Sequence, residues 1–169
     1  MKYVRTYARW IVFLSIFIVL VLVDQEFSCS RVPDGYSIME PIVPDNGHVM
    51  VRSIDSIKEL KRGRSVVQFN FQFPWGQDRV PTKMYLYGRV VGLPGDTLEI
   101  KEGVVIVNGE PLDIPEVPQV SKKDIFVPIL VPRNFLYVLA DKRDTRLSYS
   151  MDSRLIGPIP FSLVTGKVR

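Results

Sequence analysis

Between Val67 and Phe73 apolar and polar residues alternate without a break: Val67, Phe69, Phe71 and Phe73 fall on one side, Gln68, Asn70 and Gln72 on the other. A period of two predicts a strand with one face in a core and one in solvent. The pattern returns at 97–100, where Leu98 and Ile100 alternate with Thr97 and Glu99, and Val104–Val107 follows after Lys101-Glu102-Gly103. These runs predict a hairpin, closed by Asn108-Gly109, a pair suited to the positive φ of a tight turn. Further strands are predicted at 135–140 and 163–168, and at Arg89-Val90-Val91, which runs into Leu93-Pro94-Gly95-Asp96. That tetrapeptide suits a type II turn: Pro94 pre-sets φ at the second position and Gly95 supplies the positive φ of the third. Only 53–60 carries a weak helical signal, and no internal repeat is present. The predicted fold class is mainly β, with antiparallel sheet.

The N-terminus follows a different pattern. Lys2, Arg5 and Arg9 precede residues 10–23, fourteen positions of which only Ser15 is not apolar, and Asp24 and Glu26 follow. Basic residues before such a segment and acidic ones after it place the N-terminus in the cytoplasm and the rest of the chain outside. At 1.5 Å per residue the segment spans about 21 Å, shorter than the roughly 30 Å hydrocarbon layer. Both a permanent anchor and the apolar region of a cleavable signal, with Ser28 and Ser30 as small residues near a cleavage point, stay open. The expected organisation is a basic flank at 1–9, a hydrophobic membrane segment at 10–23 and an extracytoplasmic β domain at 31–169.

Composition narrows the function classes. A chain of 169 residues fits one domain with a small appendage, and 13 Pro with 11 Gly favour a turn-rich β chain. The lone Cys29 excludes an intrachain disulfide. The net charge of +4 is scattered, and its densest basic cluster, Lys58, Lys61, Arg62 and Arg64, reads as a solvated face because no nucleic-acid-binding motif accompanies it. One His, His48, and one Cys make neither a metal site nor a Cys–His pair. No cofactor, metal or nucleic-acid partner is therefore expected.

Four short stretches carry chemistry. Met39-Glu40-Pro41 is preceded by Val32-Pro33-Asp34-Gly35 and followed by Asn46-Gly47-His48-Val49; Gly88 to Asp96 reads GRVVGLPGD; Val107-Asn108-Gly109 follows; and Ala140-Asp141-Lys142 stands ahead of Ser150-Met151-Asp152-Ser153-Arg154, with Gly157 behind. Taken singly, each has an ordinary reading as a loop, a turn or a surface ion pair worth under about 1 kcal/mol. In this order and behind a membrane segment they resemble the boxes of the type I signal peptidases. Those boxes are a P-x-G-S-M-x-P nucleophile box with G-D-x-V behind it, a lysine-arginine pair before V-x-G-x-P-G-D, and S-x-D-S-R. The chain departs from them in several places. Asn46-Gly47 replaces Gly-Asp, Ala140-Asp141-Lys142 replaces Gly-Asp-Asn, about three extra residues precede Ser150, and the first box is two residues longer.

The resemblance implies an antiparallel signal-peptidase-like fold behind a single hydrophobic segment, in the bacterial plasma (inner) membrane with the N-terminus cytoplasmic. It also implies a serine-lysine dyad, and here the nucleophile position is Ile38 and the base position Gly88. A serine hydroxyl needs a base to take its proton, and removing such groups from a serine hydrolase typically costs roughly 10⁴- to 10⁶-fold in rate. Family members without a dyad assist the assembly of secreted surface polymers such as pili. The implied function is a non-catalytic protein that binds a secreted or membrane-tethered polypeptide and assists its export or surface assembly. The alternative is an active serine endopeptidase that removes signal peptides with a displaced nucleophile such as Ser37.

Strand parity weighs against replacements: in an extended chain Ser37 faces away from position 38, and Lys83 lies an odd number of residues from Gly88. A bulge presenting Ser37, or a base from Lys142 or Arg143, would evade that rule. By the same resemblance Met39, Pro41, Arg89, Asp141, Ser150, Asp152, Ser153 and Arg154 shape the site. Ser150 then faces Gly88 without its lysine partner, and Asp152 and Arg154 form a structural ion pair. Two apolar loops, Phe73-Pro74-Trp75 and Ile129-Leu130-Val131-Pro132, suit either the lipid interface or core packing.

Overall fold

The structure, a computed structural model, describes residues 7, 10–18, 26–32, 37–72, 83–114, 124–143 and 151–169. The side chains of Ser37, Gln72 and Lys83, and the whole of Phe73-Pro74-Trp75 and Ser150, lie outside the described residues. Residues 10–18 form a helix, α1, and its apolar side chains from Trp10 to Ile18 are all exposed, none covered by the β domain. Among the described residues no helix is long and apolar enough to cross a membrane.

Among the described residues eleven strands make two sheets, and every pairing is antiparallel. The larger holds β1 (Phe27–Arg31), β2 (His48–Arg52), β3 (Val66–Gln72), β4 (Lys83–Gly92), β9 (Phe135–Leu139), β10 (Ile159–Pro160) and β11 (Val164–Val168), in the order β1-β2-β11-β3-β4-β9-β10. The smaller holds β5 (Thr97–Lys101), β6 (Val104–Val107), β7 (Glu110–Pro111) and β8 (Phe126–Leu130), in the order β7-β6-β5-β8. A short helix, α2 (Ser153–Ile156), lies between β9 and β10 in the chain.

The hairpin expected at 97–107 is present, but its closing turn is a different one. Glu102 and Gly103, with φ of 49° and 83°, close β5 onto β6 in the mirror-image turn that matches strand twist. Asn108-Gly109, with φ of 55° and 87°, closes a second hairpin between β6 and β7. The weak helical stretch at 53–60 contracts to one 3-10 turn, Ile57–Glu59, held by a reciprocal cap between Ser56 and Glu59. Ile129 and Leu130 end β8 instead of forming a loop, and Val131 is buried in a core cluster.

Strand β3 departs from the expected one-sided pattern. Val67 and Phe69 enter a core cluster with Leu86, Val90 and Val138, as their parity requires. On the other face Gln68 is also buried, donating from Nε2 to Ser30 Oγ at 2.7 Å and to the Tyr87 hydroxyl at 2.9 Å, while Thr165 donates to its Oε1 at 2.7 Å. Ser30 belongs to β1, which β2 and β11 separate from β3 in the sheet. The sheet therefore curls until β1 reaches over β3 and β4, enclosing a second cluster of Val32, Met39, Val49, Val51, Val66 and Tyr87.

Candidate functional site

Ile38, which the motif resemblance sets at the nucleophile position, lies in a 3-10 turn, Ser37–Met39, between β1 and β2. A turn of that kind spaces successive side chains about 120° apart, so the strict alternation expected of an extended chain does not hold at Ser37. Met39 is fully buried in the cluster enclosed by the curled sheet, and Ile38 packs against that same cluster. The backbone is fixed at both ends of the box: Val43 N–H donates to Met39 O at 3.1 Å, and Lys142 N–H to Ile38 O at 2.9 Å. Pro41 is exposed in the turn that follows, and the Glu40–Pro41 peptide is cis. His48 begins β2 and is exposed.

Gly88, which the resemblance sets at the base position, lies on β4, in unbroken register with β3 from Gln72↔Lys83 to Val66↔Arg89, so alternation holds along this stretch. Gly88 is buried on the face of Leu86 and Val90. A Cβ built on Gly88 would stand 3.0 Å from both Cβ and Cγ2 of Val138 and 3.6 Å from Phe69 Cε1. A side chain at position 88 would start against Val138, which would have to give by a few tenths of an ångström to admit it. Ile38 rests on the cluster with Tyr87, whereas position 88 opens onto the cluster with Val138 and Phe69. The described side chains bring no nucleophile and base together.

Neither alternative cation is uncommitted. The Lys142 ammonium is ion-paired with Glu40, and Arg143 reaches Asp124 at 3.2 Å and Gly103 O at 3.2 Å. Burial pulls the Arg143 guanidinium below the usual arginine range, partly offset by Asp124.

What is built firmly is the frame. Arg89 grips Asp141 with two bonds of 2.6 Å and donates a third, of 2.8 Å, to Gly63 O, with both side chains almost wholly buried. Asp152 caps α2, accepting from Arg154 N at 3.0 Å, and its Oδ2 accepts from Ala140 N at 3.0 Å. Ser153 Oγ accepts from Val138 N at 2.9 Å, so α2 is stitched to β9 and its extension beside Gly88. Arg154 pairs with Asp152 at 2.8 Å and with Asp124 at 2.8 Å. Burial alone would lower the Arg154 guanidinium, but the bonds to Asp152 and Asp124 outweigh it and raise it. Tyr137 stands nearby with a buried hydroxyl that has no hydrogen-bond partner, and burial, reinforced by Asp152, pushes its pKa up.

Asp124 is the residue that sequence reasoning missed. It joins Arg143, 19 positions on, to Arg154, 30 positions on, and no motif marks it. Among the described residues no group of three or more His, Cys, Asp or Glu is placed to hold a metal ion.

The turn after β4 is organised by Asp96. Asp96 N–H donates to Leu93 O at 3.0 Å, Leu93 N–H returns a bond to Asp96 Oδ2 at 2.7 Å, and Gly95 takes φ of 89°. Arg62 adds two bonds of 2.6 and 2.7 Å, and Asn108 a fourth of 2.9 Å. Burial pushes this carboxyl up, but Arg62, the Leu93 N–H and Asn108 together bring it below its ordinary 3.8. A carboxyl depressed on folding stabilises above its unfolded pKa, and that stability drains away as pH falls through the folded value. Asp96→Asn is expected to cost about 1–3 kcal/mol at pH 7 and to flatten the decline in stability below about pH 4. Urea unfolding at a series of pH values between neutral and acid measures both effects.

These features define a class: a mainly β, antiparallel domain whose Ser37–Met39 turn, Pro-Gly-Asp turn and Asp-Ser-Arg helix lie around β4 and β9. The sequence matches the signal peptidase family, peptidase S26, over residues 7–169, and the chain belongs to that family. It is 31% identical over 162 residues to signal peptidase I S of Bacillus subtilis (strain 168), covering 89% of this chain and 79% of that one. A signal peptidase I of Bacillus amyloliquefaciens is 31% identical over 147 residues, covering 81% and 71%. Among solved structures, a signal peptidase I of Enterococcus faecalis V583 aligns with a TM-score of 0.49 at 22% identity, covering 68% of this chain and all of that one.

Proposed function

We propose that this chain is a membrane-anchored, non-catalytic member of the signal peptidase family that binds a secreted or membrane-tethered polypeptide and assists its export or surface assembly. One observation carries the reading: Gly88 offers no base and a Cβ there would be crowded by Val138, while Ile38, with no hydroxyl, packs against a different core cluster. The frame around them is intact, held by the buried Arg89–Asp141 and Arg154–Asp152 pairs. A frame kept without its reacting groups can still present a surface to an extended polypeptide, and polypeptide substrates are what the family handles. The uncovered apolar side chains of α1 and its basic flank support placement in the bacterial plasma membrane with the β domain outside.

A second reading, an active endopeptidase using Ser37, is favoured by the 3-10 turn that frees this residue from alternation. The two readings separate when the full chain, reconstituted in vesicles, is incubated with a preprotein. Non-catalytic binding gives a co-isolated complex with the preprotein intact.

A further inference from the structure

The chain has four asparagines, and glycine follows two of them, at Asn46-Gly47 and Asn108-Gly109. With no side chain on the next residue, the backbone nitrogen is open to attack the carbon of the asparagine side-chain amide. Asn70 and Asn134 precede Phe71 and Phe135, whose side chains crowd that nitrogen, and Phe135 N–H also donates to Pro132 O. Both Asn-Gly pairs are exposed and both asparagines take positive φ, 49° at Asn46 and 55° at Asn108, so neither exposure nor backbone separates them.

The side chains do separate them. Asn108 Oδ1 accepts from Thr97 N at 2.9 Å and its Nδ2 donates to Asp96 Oδ1 at 2.9 Å, so both ends of the amide are tied down. The Asn46 side chain makes no hydrogen bond among the described residues, and neither Asn46 O nor Gly47 N–H is bonded among them. In the left-handed region the next nitrogen lies away from the residue's own Cβ, so the peptide between 46 and 47 must turn before attack. No described hydrogen bond holds it back. Glycine is also demanded at position 47, because a Cβ there would stand 2.6 Å from Pro44 Cγ.

We infer that Asn46 is a site of spontaneous deamidation, and that the fold protects Asn108 from the same reaction. The Gly47 nitrogen gives up its proton and bonds to Asn46 Cγ. The bond from Cγ to Nδ2 breaks, and the amide nitrogen takes up a proton and leaves as ammonia, closing a five-membered succinimide. Water then opens the ring at either carbonyl, leaving aspartate, or isoaspartate with one extra carbon in the main chain. Gly47 O accepts from Val32 N–H at 2.9 Å, the bond that closes the segment bearing Ile38 and Met39, so the longer main chain falls where that segment is tied. The new carboxylate also stands next to Asp45. None of this depends on whether the protein binds or cleaves a polypeptide.

The purified full chain is aged at mildly alkaline pH and digested at intervals. Each asparagine is followed by peptide mass spectrometry, and isoaspartate is scored by enzymatic methylation. A parallel sample ages unfolded in guanidinium chloride. In the folded protein Asn46 should convert while Asn108 lags by roughly tenfold to hundredfold, the factor that two hydrogen bonds supply. In denaturant the two rates should converge. An Asn46→Gly variant, which keeps the positive φ and removes the amide, should lose most of the isoaspartate. Folded protein in which Asn46 stays intact, or in which Asn108 keeps pace with it, overturns the assignment. A gap that persists in denaturant belongs to the flanking sequence and overturns the protection by the fold.

Discussion

Asp141→Ala is expected to lower the free energy of unfolding by about 3–5 kcal/mol, the range for removing one partner of a buried ion pair. The cost comes from what is left behind more than from the bonds lost. Arg89, 2% exposed, spends Nε and Nη2 on Asp141 and Nη1 on Gly63 O, so the truncation strands a guanidinium with one carbonyl as partner. Asp141→Asn keeps the shape and one acceptor and should cost less. The loss should also reach the site, because the next residue, Lys142, holds Ile38 O through its backbone N–H. Urea unfolding reads the effect as a lower midpoint with the slope unchanged. A shift worth under about 1 kcal/mol, the value of an exposed pair, would contradict the buried geometry.

Gly88→Lys should cost about 1–3 kcal/mol, the range for overpacking a filled core. The new Cβ meets Val138 at 3.0 Å, closer than side chains ordinarily stand, and both atoms it meets belong to a short β-branched residue that has little freedom to move aside. Val138→Ala alone should also destabilise, yet combined with Gly88→Lys it should recover part of the loss. A double-mutant cycle in thermal or urea unfolding isolates that coupling. Ile38→Ser together with Gly88→Lys is expected to leave the protein without cleavage, because position 38 packs on the cluster with Tyr87 and position 88 opens onto the cluster with Val138. Cleavage by that double variant would show that the two positions do converge.

Much of the sheet was legible because its signals are local. The period-two run at 67–71 declares β3, and Pro94-Gly95 with Asp96 declares the turn after β4. What local pattern could not declare were features set by distant neighbours. Gln68 reads as a solvent-facing residue, and only the curl that brings Ser30 over β3 makes it a buried hub. Strands β1, β2 and β8 escaped notice, since exposed residues interrupt their apolar positions and each draws its pairing from a partner elsewhere in the chain. Asn108-Gly109 is a turn pair as its composition says, but Glu102-Gly103, with a residue that rarely takes positive φ, closes the first hairpin. At the site, sequence marked Arg89, Asp141, Asp152 and Arg154, because they sit in short motifs. Asp124 stayed hidden, for it acts only through partners brought to it by the fold. The crowding of Gly88 by Val138 was equally invisible, since Gly88 by itself suggests an empty space.

The most direct test is cleavage by the unaltered protein. Full-length chain reconstituted in vesicles is incubated with a preprotein bearing a small-x-small signal, and the products are read by mass spectrometry beside a Ser37→Ala variant and an enzyme-free control. A non-catalytic site predicts intact preprotein at the same level in all three. Cleavage after the signal by the unaltered chain, lost on Ser37→Ala, would contradict it.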